Sequence, residues 1–184
     1  METKSLEGYL NSFGKQVVNR AKASLGKAKG GKTALAQSIR FEVIPYANGF
    51  TVQFFMSDYG EYLDKGVSGN KVTRTYKNQD NQTVSSPYKY TTKGPPIDIL
   101  SKWIKMKGIK PKGLGTGRSK KTGQFVSGFA YLISKKIKRD GIKGLSFFQK
   151  PLRLGMKEMG TKLLGAITED IQKNIQKATI IQST

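Results

Sequence analysis

Residues 34–56 read ALAQSIRFEVIPYANGFTVQFFM, and no other stretch limits the fold as tightly. Ile39, Phe41 and Val43 alternate with Arg40 and Glu42, and Phe50, Val52, Phe54 and Met56 repeat the alternation. A period of two sends each apolar set to one face of a strand. Ala47-Asn48-Gly49 lies between the runs, and Asn-Gly suits the backbone angles of a tight hairpin turn. Segments 34–45 and 50–56 are therefore expected to form an antiparallel hairpin. Its apolar face needs a covering layer, and the rest of the chain offers helices for it.

Leu6, Tyr9, Leu10, Phe13, Val17 and Ala21 recur at spacings of three and four, predicting a helix over 5–25. Ser5 is its expected N-cap, and the Gly/Lys-rich stretch 26–32 its end. DYGEYLDK (58–65) suggests a short helix stopping at Gly66. After Pro95-Pro96, a helix over 97–107 is expected to turn Ile97, Leu100, Trp103 and Ile104 inward. Phe125, Phe129, Leu132, Ile133 and Ile137 predict another over 125–139, with Gly141 as its left-handed C-terminal residue. GIKGLSFFQKPL reads as a compact turn. Leu152, Met156, Met159, Leu163, Ile167, Ile171 and Ile175 then mark a last helix over 151–178, despite Gly155, Gly160 and Gly165.

The expected fold is a single α+β domain over 1–184. An antiparallel sheet around the central hairpin is packed by helices 5–25, 125–139 and 151–178, with long inserted loops. Segment 68–94 is polar and suits a second hairpin, with arms at 72–76 and 86–90, or an extended loop. Segment 108–123, rich in Gly and Lys, reads as a flexible basic loop.

The 184 residues include no Cys and no His, which excludes disulfides, Cys/His zinc sites and Cys–His or Ser–His catalysis. No apolar run reaches 18 residues, and METKSLEGYL lacks the apolar core of a secretory signal, so a soluble chain made in a cytoplasm is expected. Gly26-Lys27-Ala28-Lys29-Gly30-Gly31-Lys32-Thr33 matches the phosphate-loop pattern G-x-x-x-x-G-K-[ST]. That loop must leave a buried strand and enter a helix. Here a helical pattern precedes it and an alternating one follows, which is the reverse order. Asp58, Glu61 and Asp64 are the closest carboxylate cluster, and their spacing of three suits a solvated helix face. No catalytic, cofactor-binding or metal-binding residue is expected.

Charge carries more information. Lys and Arg number 33 against 12 acidic residues, a net +21, and residues 101–150 hold 14 basic residues and one acidic. Such an excess favours a polyanionic neighbour: nucleic acid, an acidic membrane or an acidic protein surface. Lys135-Lys136-Ile137-Lys138-Arg139 reads as the polar face of a helix, its cations suited to the helix C-terminus. Tyr59, Tyr62, Tyr76, Tyr88 and Tyr90 suit stacking on bases or a partly wet subunit contact, and the contact is favoured because Tyr has an apolar body and a polar tip.

Three stretches in order resemble one family. SDYGEYLDKGVSG (57–69) resembles the Y-x-x-Y-[hydrophobic]-[acid]-x-G segment that follows the central hairpin in head–tail joining, or tail-completion, proteins of tailed bacteriophages. PPIDILSKWIKMKGIKP (95–111) resembles that family's next helix with its W-I-x-x-K-G ending, and FAYLISKKIKRDGIKGLSFFQKPL (129–152) its I-x-x-K-I-x-x-x-G-I-K-G-x-x-F-F stretch. Segments 70–93 and 108–123 look like insertions, and the strong positive charge departs from the family pattern. The resemblance implies a small, non-enzymatic α+β subunit of a homo-oligomeric ring at the virion neck. Its partners would be the portal or connector and the tail-tube or tail-terminator proteins, with DNA in the channel and no membrane. Tyr59, Tyr62, Leu63, Phe147 and Phe148 are the expected interface residues or anchors of interface loops. Lys110, Lys112, Arg118, Lys120 and Lys121 are expected to face DNA or an acidic partner. A basic DNA-binding protein without catalytic function is the other reading.

Overall fold

The computed structural model describes residues 4–29, 33–47, 49–109, 116–118 and 125–182, by main chain alone at 29, 116–118, 125–127 and 177–182. The fold is α+β: helices with small antiparallel sheets. The chain divides into two compact units. The first takes the chain up to Gly60, the segment Lys77–Gln82 and everything from Ser146; the second takes Glu61–Tyr76 and Thr83–Leu145.

The first unit is built on α1 (Lys4–Lys29), the hairpin of β1 (Arg40–Tyr46) and β2 (Gly49–Phe55), and α6 (Gln149–Gln182). Leu10, Phe13, Val17, Val18, Ala21 and Leu25 form the buried stripe of α1, each large side chain contributing roughly 1.5–3 kcal/mol. The hairpin register runs from Arg40↔Phe55 to Tyr46↔Gly49, as the alternation predicts. Phe54 is its hub, meeting Phe13 edge-on at 6.3 Å, Phe148 edge-on at 5.3 Å and Phe41 at 6.3 Å. Gly14 of α1 leaves room for the Phe41 ring, which a Cβ would strike.

Two local expectations fail in this unit. Residues 34–38, expected to be strand, form a short helix α2 (Ala34–Ser38). The Thr33 hydroxyl accepts from the Ala36 N–H at 3.2 Å and caps it. Leu35 and Ala36 are both buried, and a strand would send one of these neighbours to solvent. At the start of α1, Ser5 lies inside the helix, and the cap comes from afar. The buried Asp170 of α6 accepts from the N–H groups of Ser5 and Leu6, each at 2.9 Å. Burial raises its pKa, but these hydrogen bonds and nearby Lys173 outweigh that and hold the carboxyl below its ordinary value. The glycines of α6 do not interrupt it, as expected.

In the second unit α4 (Ile97–Met106) packs against α5 (Gly128–Asp140). Ile104 and Ala130 are buried there, and Ser134 Oγ donates to the Pro95 carbonyl at 2.7 Å. α5 belongs to this second unit and begins three residues later than the helix expected over 125–139. Residues 125–127 form β6 (Phe125–Ser127), which pairs antiparallel with β5 (Thr116–Arg118), so segment 108–123, expected as a flexible basic loop, carries a strand. Trp103, expected to face inward, is 41% exposed, while Ile97 and Leu100 are half-buried and Ile104 is buried.

The polar segment 68–94 carries a short hairpin, β3 (Thr75–Lys77) paired with β4 (Thr83–Ser85); β3 shares only Thr75 and Tyr76 with the expected arm 72–76, and β4 precedes the expected arm 86–90. Its turn is held by Asn78 Oδ1, which accepts from the N–H groups of Asp80 and Gln82 at 3.1 and 2.8 Å. Within the first unit, Arg153 of α6 donates to Asn81 Oδ1 at 2.8 Å and fastens this tip.

Candidate interaction surface

The remaining helix, α3 (Tyr59–Lys65), ends where two of the motif stretches meet. Gly66, at φ +77, turns the chain away, and its N–H closes on the Tyr62 carbonyl at 2.9 Å. Val67 then pairs antiparallel with Ile142, exchanging N–H···O bonds of 2.9 and 2.7 Å, and the Leu145 N–H donates to the Leu63 carbonyl at 2.9 Å. Segment 63–69 is thereby stitched to segment 139–145, backbone against backbone. A Cβ on Gly66 would come within 2.5 Å of the Gly144 nitrogen, and one on Gly144 within 2.5 Å of the Asp64 carbonyl oxygen. Ser86 Oγ donates to the Gly66 carbonyl at 2.6 Å from the other side.

Beside this junction, Tyr62 stacks obliquely on Tyr88, ring centres 4.1 Å apart. The Tyr88 hydroxyl donates to Glu61 Oε2, which also accepts from Lys65 Nζ at 3.0 Å. That hydroxyl, then Lys65, holds the Glu61 carboxyl below its ordinary value, while bonding to Glu61 pushes Tyr88 up to about 12. Tyr62 stays 47% exposed despite its neighbour. The result is a fixed aromatic ledge with ionic edges, a surface suited to contact with another macromolecule.

The residues expected at the interface separate in the structure. Tyr59 and Tyr62 are about half exposed and Leu63 is half-buried. Phe147 and Phe148 are 1% and 7% exposed, and the Phe148 ring is spent on Phe54, so neither ring is free for a neighbouring molecule. Ser146, at φ +49, turns the chain so that both rings enter the core just before α6 begins. A signal existed: Phe147 and Leu152 stand at the two positions of a hydrophobic staple around that helix start. Lys110, Lys112, Lys120 and Lys121 lie outside the described residues, and Arg118 is described only as the last residue of β5.

The carboxylate triad of the sequence does not act as one solvated edge. Asp58 and Glu61 are exposed, but Asp64 is 2% exposed, because the turn 141–145 closes over the end of α3. No group of three His, Cys, Asp or Glu able to hold a metal occurs among the described residues. Gly26–Lys29 of the phosphate-loop pattern form the last turn of α1, and Gly30–Lys32 lie outside the described residues. A helix therefore stands where that loop requires a strand, while the strand expected after it is replaced at its start by the short helix α2. A 530 Å³ cleft in the first unit, between α1, β2 and α6, is lined by apolar side chains and Gln79, with no titratable group to perform acid–base chemistry.

The polar face read over Lys135–Arg139 becomes a second surface only with Asn70 and Lys71 beside it: a cationic groove of 530 Å³ lined by these two, Leu132, Lys135, Lys136, Lys138 and Arg139. The N–H groups of Asn70 and Lys71 donate to the carbonyls of Lys138 and Arg139 at 2.9 and 3.1 Å, joining a distant segment to the last turn of α5. Comparisons with protein-family models, curated proteins and solved structures return no match for this chain.

Proposed function

We propose that this chain is a structural virion protein of the head–tail joining class, forming a homo-oligomeric ring between the DNA-filled capsid and the tail of a bacteriophage. It works without catalysis: each copy binds its neighbours, a portal or connector ring on one side and a tail-tube or tail-terminator protein on the other. The observation that carries this reading is the meeting of motif stretches 57–69 and 129–152 at the Val67–Ile142 pairing. Two segments picked out by resemblance build one glycine-packed junction and set the Tyr62 ledge beside it. Heterologous contacts that close by rotation make such rings. Further support comes from α6, which leaves Leu164 and Ile175 65% and 61% exposed, more than a helix serving only one chain's core needs.

Light scattering after size exclusion tests the reading. The wild type is expected as a closed multimer at micromolar concentration, and the pair Tyr59→Ala and Tyr62→Ala is expected to shift it toward monomer. A wild type that stays monomeric at all concentrations, with and without a portal ring, would remove the proposal.

A further inference from the structure

The geometry points to a nucleic-acid site: the groove lined by Lys71, Lys135, Lys136, Lys138 and Arg139 binds the phosphodiester backbone, without regard to base sequence. This goes beyond the ring and does not depend on it, since every lining residue belongs to one copy of the chain.

Charge is the first support. Five cations line the groove, and the neighbouring acid, Asp140, is engaged by Arg139, whose Nε and Nη2 donate to its two carboxylate oxygens at 2.7 and 2.9 Å. Arg139, then Lys136 and Arg74, keep that carboxyl below its ordinary value, so Asp140 offsets one cation and four lysines remain. On α5 the cations recur three and four residues apart, which sets neighbouring Cβ atoms about 5–6 Å apart, the scale of successive phosphates. The second support is preorganisation. Lys71 is held by the main-chain bonds of Asn70 and Lys71 to α5, so little backbone order is lost on binding.

The chemistry of the lining favours nucleic acid over an acidic protein. Apart from the Asn70 amide, every polar side chain is a donor, and Leu132 alone supplies apolar surface. Protein interfaces centre on apolar and aromatic anchors and are poor in Lys. A phosphate backbone asks only for positive charge and donors. No aromatic is among the lining residues, although the exposed Tyr131 ring stands beside them with Lys135 Nζ 4.9 Å from its centre, and contact to phosphates alone carries no sequence information.

Fluorescence anisotropy with labelled duplexes of unrelated sequence, over a range of salt, tests this. Wild type should bind them alike, with log affinity falling against log salt at a slope of about −3 to −5. The triple variant Lys71→Gln, Lys135→Gln, Lys136→Gln should lower that slope by about 2–3 and weaken binding about tenfold or more at 0.1 M salt. Lys15→Gln, Lys157→Gln, Lys162→Gln removes equal charge from exposed helix positions of the first unit, and should stay within about twofold of wild type. Independently of any variant, duplex should protect Lys71, Lys135 and Lys136 from acetylation. Light scattering on each sample separates loss of the ring from loss of binding. Equal losses in both triples would sink the proposal, as a general field would then explain the affinity. So would tighter binding of polyglutamate than of duplex, which would assign the groove to an acidic protein.

Discussion

Gly141 closes α5 at φ +70, and a Cβ there would overlap the Val67 carbonyl oxygen. Two demands coincide on one residue: a left-handed turn and a close backbone approach. Gly160, in the middle of α6, meets neither, since nothing lies within 4 Å of its added Cβ. Gly141→Ala is expected to destabilise by at least about 2 kcal/mol, and Gly160→Ala to stabilise by about 0.5–1 kcal/mol, both read from urea unfolding. The turn role of Gly141 was visible in sequence, where helical spacing stops at Ile137. Its contact with Val67 was not, because 74 positions separate the two. Trp103 and Asp64 mark the same limit. Local pattern says which residues share a helix edge, and only packing says which edge is covered.

At the scale of elements, the N-terminus of α1 shows how a distant partner replaces a local signal. Asp170 takes two of the free N–H groups there, a capping role worth a few degrees of thermal stability. Asp170→Ala is expected to lower the midpoint of thermal unfolding by about 2–4 °C at pH 7, followed by circular dichroism. The pH dependence follows from its lowered pKa. The stabilisation is fully present above the unfolded carboxyl value of ~3.9 and is lost as pH falls through the lower folded value. The variant and wild type should therefore converge in strong acid. Long periodic elements were legible: α1, α4, α6 and β2 lie within about four residues of their expected bounds, while β1 starts at Arg40, six residues after the expected start of its strand. The short ones were not. α2 needs the Thr33 cap and burial of both Leu35 and Ala36, and β5 and β6 need each other, so neither strand has enough residues to show a period.

For the whole molecule, Phe148 and Tyr62 test which surfaces serve the fold and which serve assembly. Phe148→Ala is expected to cost about 3–5 kcal/mol in urea unfolding, since it empties a core site against Phe54. Tyr62→Ala should stay within about 1 kcal/mol, because that ring is half exposed, yet reduce multimer formation. Equal stability losses in both would place Tyr62 with the core and weaken the proposed ring. The candidate junction was half legible: resemblance picked out 57–69 and 129–152, but their pairing at Val67 and Ile142 is a tertiary fact. By itself the sequence determined the class of fold, the central hairpin, the long helices and the cationic excess, since each follows from local periodicity or from counting. Tertiary structure alone decided the division into two units, the burial of Phe147, Phe148 and Asp64, and the placing of Lys71 beside the lysines of α5. Those outcomes depend on contacts between residues far apart in the chain, which no local pattern encodes.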